Sequence, residues 1–400
     1  MRSRTTQRYT ATDKFIWIVT FAYLFVSNTI NTTGAVLFGF TLLVLIFTNF
    51  KLKFYKYHIF TLQFCLYCYT TMFWALNGRY SIEVANTIFQ TLVCLFVFYE
   101  YWKNIPDINI LLKVLMWAGF AVVIYTYFYY GVEEIVTAEE EGERLENTFN
   151  NVNTIAMLTA IVLIIHCYLF MFVKKDWSVV IWLPCLFIIG VTQSRKAFVM
   201  IVLGIFLLYY FKQRKKARGD MFVPLLKIML FVVFGIMVLI ILGKTESFAG
   251  LYTRMEGLFS SLTGGEDIDA SAELRNVYND VGWRKFLEKP ICGWGMNNSR
   301  ILLSREVGHI TYMHNNYIEL LSCGGILGLI SYYSMYVYLL FKELKYIRID
   351  NSAILIFTWI LIRMVIDWGV VAYSTKPAYF YLMIFFIHLD NMRIKYPHIK

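Results

Sequence analysis

Charged residues are scarce in this chain: Asp, Glu, Lys and Arg make up 16% of its 400 residues, against about a quarter in a soluble domain. Hydrophobic residues take 58% and aromatics 18%, and the mean hydropathy is +0.56. A water-soluble fold needs a polar exterior and could not hide this much apolar surface. A soluble enzyme is therefore excluded, and so is a disordered chain. Six prolines and 23 glycines exclude a collagen-like chain and leave no low-complexity linker. The Walker loop, HExxH, GxSxG and CxxCH are all missing. The seven cysteines fall mostly in apolar runs. Cys65 and Cys68 have no Cys or His partners at zinc spacing downstream, so they read as packing residues, and no disulfide framework or metal site is implied. The net charge of +10 would speak for nucleic acid in a soluble protein. In a membrane chain the placement of charge matters more than its sum, and no nucleic-acid partner is expected.

What the sequence does have is apolar runs long enough to span a bilayer, for which a helix needs roughly 20 residues. The candidates are Phe15–Ile30, Ala35–Phe50, Ile59–Leu76, Ile82–Trp102, Ile108–Tyr130, Thr154–Val173, Trp177–Thr192, Ala197–Phe211, Phe222–Leu242, Tyr317–Phe341, Ser352–Val371 and Ala378–Leu389. The predicted fold is an all-α polytopic membrane protein of about twelve transmembrane helices, one integral membrane domain over residues 1–400. The basic stretch before the first run lacks a small-residue cleavage site, so that run reads as a retained anchor.

Lys and Arg in short loops set the orientation. With a cytoplasmic N-terminus, the inner segments hold Lys51/Lys53/Lys56, Lys103, Lys174/Lys175, Lys212–Arg218 and Lys342/Lys345/Arg348. The short outer loops hold only Arg79, Arg144, Arg195/Lys196 and Lys376. Both termini are expected in the cytoplasm. Gly131–Asn150, with seven glutamates and one arginine, is then an outer loop. Gly243–Asn316 is a much larger extracytoplasmic one. Within it a helix is predicted from about Ala272 to Glu288, with Asp269 or Ser271 as caps and Pro290 beyond its end. Leu274, Val277, Tyr278 and Val281 give it one apolar stripe, as in an interfacial amphipathic helix.

The densest chemistry lies in PICGWGMNNSRILLSREVGHITYMHNNYIELLSCGGILGLI, residues 290–330. His314 stands at the outer entrance of the helix beginning near Tyr317. The positive end of the helix dipole favours its neutral form there, and a neutral imidazole near pH 7 can take a proton from a sugar hydroxyl. The plainer alternative is a surface histidine beside a cap. Asn316 and Glu319 have the spacing of a capping box, and Gly324 with Gly328 forms a GxxxG suited to close helix packing. Basic residues on the outer side, where the charge bias expects few, are the second signal. Arg195 and Lys196 occupy the short turn TQSRKAF. Arg144, Arg254 and Arg275 lie on the same side, and arginine's planar fork suits phosphate. Snorkelling or solvation is the alternative for each. Arg363 and Asp367, four apart in one span, form either a structural ion pair or the wall of a polar cavity. Asp267 and Asp269 read as loop polarity, and His166 and His388 as packed histidines.

The TQSRKAF turn, the PICGWG element and HNNYIELLSCGGILGL together resemble the O-antigen ligase and polymerase superfamily, over roughly Arg144 to Ile330. These are bacterial plasma-membrane enzymes that handle undecaprenyl-diphosphate-linked glycans. The resemblance implies a glycosyltransferase with a lipid-diphosphate-linked donor and no cofactor or metal. It assigns the acceptor-activating role to His314. Diphosphate and glycan binding go to Arg195, Lys196 and Arg275, with Arg144, Arg254 and Asn315. It implies polymerisation of repeat units into O-antigen or capsule. A ligase moving finished glycan to another acceptor is the alternative within the family, and a flippase or transporter the alternative outside it. The implied partners are the lipid-linked glycan, membrane lipid, a chain-length regulator and a flippase.

Overall fold

The computed structural model describes residues 9–399 apart from 31–33, 49, 52, 132, 136–148, 150, 176, 217–221, 224–225, 228 and 231–269. Arg144, Arg254, Asp267 and Asp269, the glutamate run at 139–141 and most of the expected span Phe222–Leu242 lie outside the described residues.

Every regular element among the described residues is helical. In chain order these are α1 (Ala11–Thr29), α2 (Gly34–Ile46), α3 (Lys56–Thr70), α4 (Gly78–Trp102), α5 (Ile108–Tyr130), α6 (Val152–Tyr168) and α7 (Trp182–Thr192). After them come α8 (Arg195–Lys216), α9 (Ala270–Glu288), α10 (Ser299–Val307), α11 (Asn316–Leu344), α12 (Asn351–Ile366) and α13 (Lys376–Lys395). Among the described residues five helical stretches are long and apolar enough to cross a membrane: Gly78–Trp102, Ile108–Tyr130, Val152–Val173, Arg195–Lys215 and Asn316–Leu344. Three shorter apolar helices join them, Gly34–Ile46, Ser178–Thr192 and Asn351–Ile366. One apolar cluster runs through the bundle from Ile16 to Met392. Large apolar side chains also cover its outside, with Phe73 80% and Phe128 82% exposed. Water penalises such a surface and lipid accepts it.

Two neighbourhoods position the site. In one, α6 packs on α5, α7 and α8, and α8 packs on α12. In the other, α11 packs on α3 and α12, while α9 and α10 pack against it as well. The α9–α10 cover has a small core of its own, Tyr278, Val281, Leu302, Leu303 and Met313. Of the stripe expected on α9, Tyr278 and Val281 are buried, but Leu274 and Val277 are exposed. The buried strip is narrower than the sequence implies.

Helix α11 is broken in its N-terminal third. Gly325 has φ 61° and ψ −166°, a region essentially restricted to glycine. The break frees the carbonyls of Ser322 and Cys323 and the amides of Ile326 and Leu327. Broken helices are tolerated at membrane depth only when such groups find other partners. The Pro290–Gly295 segment supplies them. Trp294 N–H donates to Ser322 O (3.0 Å) and Gly295 N–H to Cys323 O (2.8 Å). Ile326 N–H donates to Pro290 O (2.8 Å) and Leu327 N–H to Ile291 O (3.2 Å). Gly293, at φ +65°, lies so close to α11 that a Cβ would come within 2.4 Å of the Cys323 carbonyl carbon. The same loop is fastened to the α3–α4 connection. Trp74 Nε1–H donates to Cys292 O (3.1 Å), Leu76 N–H to Trp294 O (3.2 Å), and Asn77 N–H to Asn298 Oδ1 (2.8 Å). The GxxxG pair does serve close packing, since Gly324 and Gly328 both face the Tyr67 ring of α3.

Candidate functional site

A cavity of about 940 Å³ opens where α6, α8, α9 and α11 meet the α12–α13 connection. Lys196, Arg275, Arg300, His314, Arg363 and Lys376 all line it. Five are fixed cations, and Glu319 is the one carboxylate among the lining residues described. A hollow this basic is built for an anion.

His314 is half-buried at the mouth of α11. Its ring stacks on Tyr278 of α9 at 6.0 Å and 17°, and meets Tyr312 at 4.1 Å. Burial, then the positive charges of Arg275 and Lys196, pull its pKa down to about 4. The neutral form inferred from the helix dipole is thus favoured here chiefly by desolvation. The His314 backbone is left-handed, with φ +57°, a conformation worth about 1–3 kcal/mol of strain in a non-glycine residue. Asn297, which also lines the cavity, has φ +62°.

Two clamps hold that conformation. Behind His314, Glu319 is fully buried and accepts from Ser299 Oγ (2.5 Å) and Met313 N–H (2.8 Å). This overturns the capping-box reading. The N-cap of α11 is Asn315, whose Oδ1 accepts from the amides of Tyr317 (3.0 Å) and Ile318 (3.2 Å). The helix starts one residue earlier than that box requires, so Glu319 points back at the His314 strand. Asn315 therefore serves as a cap, its Nδ2 is without a hydrogen-bond partner among the described residues, and it is not among the lining residues. On the other side, Asn316 holds the loop after α12. Its Oδ1 accepts from Ala372 N–H (2.8 Å) and Tyr373 N–H (3.1 Å), its Nδ2 donates to Tyr333 Oη (3.0 Å), and its own N–H donates to Asp367 O (2.8 Å). This is why α12 ends at Ile366 although Val370 and Val371 continue the apolar run.

Arg363 and Asp367 satisfy both of their alternatives. They form a buried ion pair, Asp367 also accepts from Tyr333 Oη (2.8 Å), and Arg363 lines the cavity. In the TQSRKAF turn, Gln193 closes α7 in the left-handed conformation, with φ 48°. Phe198 N–H then donates to Ser194 O (3.2 Å) to start α8. Arg195 and Lys196 are accordingly the first residues of a helix. Lys196 reaches the cavity, its chain passing so close to Gly369 that an added Cβ would come within 3.2 Å of its Cε. Arg195 is half-buried and not among the lining residues. The sequence reading missed Arg300 and Lys376 as members of the site. Their only signal was a positive charge in segments expected to lie outside. The packed histidines turn out to be hydrogen-bonded: His388 bridges Ser352 Oγ (2.8 Å) and Glu343 (2.9 Å), and His166 bridges Ser178 and Trp182.

Residues 179–333 match the family described as O-antigen ligase. That match carries the superfamily resemblance and indicates ligase- or polymerase-type function in a glycosyltransferase-like enzyme. With the apolar helices, the match suggests a multi-pass membrane protein. The matched stretch contains Lys196, Arg275, Arg300, His314 and Glu319, while Arg144 precedes it and Arg363 and Lys376 follow it. No curated protein matches the chain.

Proposed function

Proceeding from the O-antigen ligase match, we propose that this chain polymerises undecaprenyl-diphosphate-linked oligosaccharide repeats into surface polysaccharide, O-antigen or capsule. The reaction takes place on the outer face of the bacterial plasma membrane. The observation that carries this reading is the large cation-lined cavity with a neutral, half-buried histidine beside Arg275 and Lys196. In the reaction, an acceptor hydroxyl on the incoming repeat gives its proton to His314 as its oxygen bonds to the anomeric carbon of the growing chain. The bond from that carbon to the diphosphate breaks, and undecaprenyl diphosphate leaves with the electron pair. Fixed cations stabilise the departing charge without reorganising. Arg275 and Lys196 are placed for this at His314, with Arg300 in the same cavity. Arg195, Arg144 and Arg254 remain assigned to the donor by resemblance alone, and Asn315 acts through the helix cap. The scarcity of Lys and Arg in the short outer loops supports cytoplasmic termini and an outward-facing cavity.

The test is turnover in proteoliposomes that receive lipid-linked repeat only on the face carrying the 243–316 loop. His314→Gln keeps a hydrogen bond but cannot accept the proton. It should lose about 10²–10⁴-fold in rate and still bind lipid-linked repeat. Near wild-type turnover by His314→Gln across pH 6–8 would refute the base assignment. Turnover from the opposite face would refute the orientation. Transfer to a different acceptor without chain growth would replace the polymerase with a ligase.

A further inference from the structure

A second cavity, of about 460 Å³, lies beside the first between α2 and α4. Leu37, Phe38, Phe89 and Val93 wall it, and Tyr23 and Cys94 close it. Phe38, Phe89 and Val93 are each more than two-fifths exposed on the outside of the bundle, so the cleft opens toward lipid. One cation stands in it. Lys376, at the start of α13, lines this cleft and the 940 Å³ cavity alike. No carboxylate among the described residues lies within ion-pair distance of Lys376, whereas Arg363 in the same cavity has Asp367.

An ammonium in a mainly apolar cleft, with no carboxylate among the described residues within ion-pair distance, is matched by an anion that brings its own hydrocarbon. The geometry points to a second lipid subsite. We propose that Lys376 holds the diphosphate of the acceptor lipid, with its isoprenoid tail in the α2–α4 cleft and its glycan extending into the large cavity. The proposal rests on the polymerase reading, and that chemistry explains why the two subsites are separate. The donor reacts at the carbon bonded to its diphosphate, so its phosphates must lie beside the base. The acceptor reacts at a hydroxyl at the far end of its glycan, so its diphosphate must sit away from the base, with its own opening to the membrane. Arg275 and Lys196 are the cations whose charge is felt at His314, whereas Lys376 stands where the large cavity meets the cleft, which His314 does not line. Lysine also suits this place, being a compact point charge that does not require a bidentate partner.

The test counts bound lipid as well as turnover. Native mass spectrometry of the full chain in nanodiscs, titrated with undecaprenyl diphosphate, should show two lipids on the wild type and one on Lys376→Gln. Val93→Trp, which fills the cleft and leaves Lys376 in place, should also bind one, and Lys376→Arg should bind two. In proteoliposomes Lys376→Gln should raise the acceptor KM tenfold or more, with the donor KM and kcat within about twofold of wild type. The proposal is overturned by one lipid on the wild type, by two on Lys376→Gln, or by equal changes in both KM values. It is also overturned if phosphatidylglycerol displaces the second lipid as well as undecaprenyl diphosphate does, which would make the cleft an ordinary lipid seat. Two lipids falling to one on Lys376→Gln in a chain that makes no polymer would leave the subsite standing and remove the polymerase reading alone.

Discussion

Gly325→Ala should undo the junction between the Pro290–Gly295 loop and α11. A Cβ at this position would lie 2.2 Å from Ile291 O and 2.6 Å from Cys292 N. Both are backbone atoms, so neither can swing aside as a side chain could. The residue would also be held at φ 61°, ψ −166°, which costs about 1–3 kcal/mol without glycine. To relieve the clash the loop must lift, breaking the four loop–helix hydrogen bonds. At about 0.5–1.5 kcal/mol each these are worth roughly 2–6 kcal/mol. A loss of that size is a large share of the about 5–15 kcal/mol that holds a typical protein folded. Gly324→Ala is the control. Its nearest neighbour is Met296 Sδ at 2.9 Å, the far end of a flexible chain, and then Tyr67 at 3.4 Å, so it should cost no more than about 1–3 kcal/mol. The measurement is the fraction of monodisperse protein left after heating in detergent, read by size exclusion. Gly325→Ala should be largely aggregated at a temperature that wild type and Gly324→Ala survive. Wild-type survival of Gly325→Ala would show that the break in α11 is not held by this glycine.

Glu319→Ala strands the buried Met313 amide, at about 1–3 kcal/mol, comparable with the strain it holds at His314, and should slow transfer about tenfold or more. Because Glu319 acts through His314, adding Glu319→Ala to His314→Gln should cost little more, and fully additive losses would give Glu319 a separate role. With the His314 pKa lowered to about 4, the base stays neutral down to about pH 5. The acid limb of kcat/KM should therefore appear only toward pH 4, and a limb near pH 6.5 would refute the buried-base account. The same shift makes the unfolded chain bind more protons between about pH 6.5 and 4. His314 thus costs nothing above that window and destabilises the fold as pH falls through it, a dependence that His314→Gln should lose.

Hydropathy made most helices legible because each run must cover a fixed length of hydrocarbon. Ile108–Tyr130 was readable to the residue, and the approach of His314 to a helix N-terminus followed from where the apolar run after Asn316 begins. Local spacing failed where two partners compete for one residue. Asn315 and Asn316 are chemically identical, and only the Ala372 and Tyr373 amides decide which of them caps α11. The GxxxG pattern singled out Gly324 and Gly328 for packing, but the residue with the special backbone is Gly325, whose need arises from a loop some 30 residues upstream in sequence. Lys376 and Arg300 gave no local signal beyond their charge, since their membership depends on α10 and α13 converging on the same hollow. Arg195 and Lys196 are equivalent as sequence, and the helical register of α8 brings only Lys196 to the cavity wall.

The threading of the Pro290–Gly295 segment through the break in α11 also defines which parts of this molecule can be exchanged. Because Trp74 and Leu76 bond the same segment and Asn77 bonds Asn298 just beyond it, the stretches 71–81 and 289–330 form a single joint made from two distant pieces of chain. A chimera that imports a relative's loop with cut points inside 289–330 would leave carbonyls and amides of α11 unmatched, however similar the two sequences. One that imports both stretches together, joined through α9 upstream of Lys289, would carry the joint intact. Recombination by domain shuffling would meet the same constraint, so new glycan specificities should be acquired upstream of Lys289, leaving the length of 289–316 fixed.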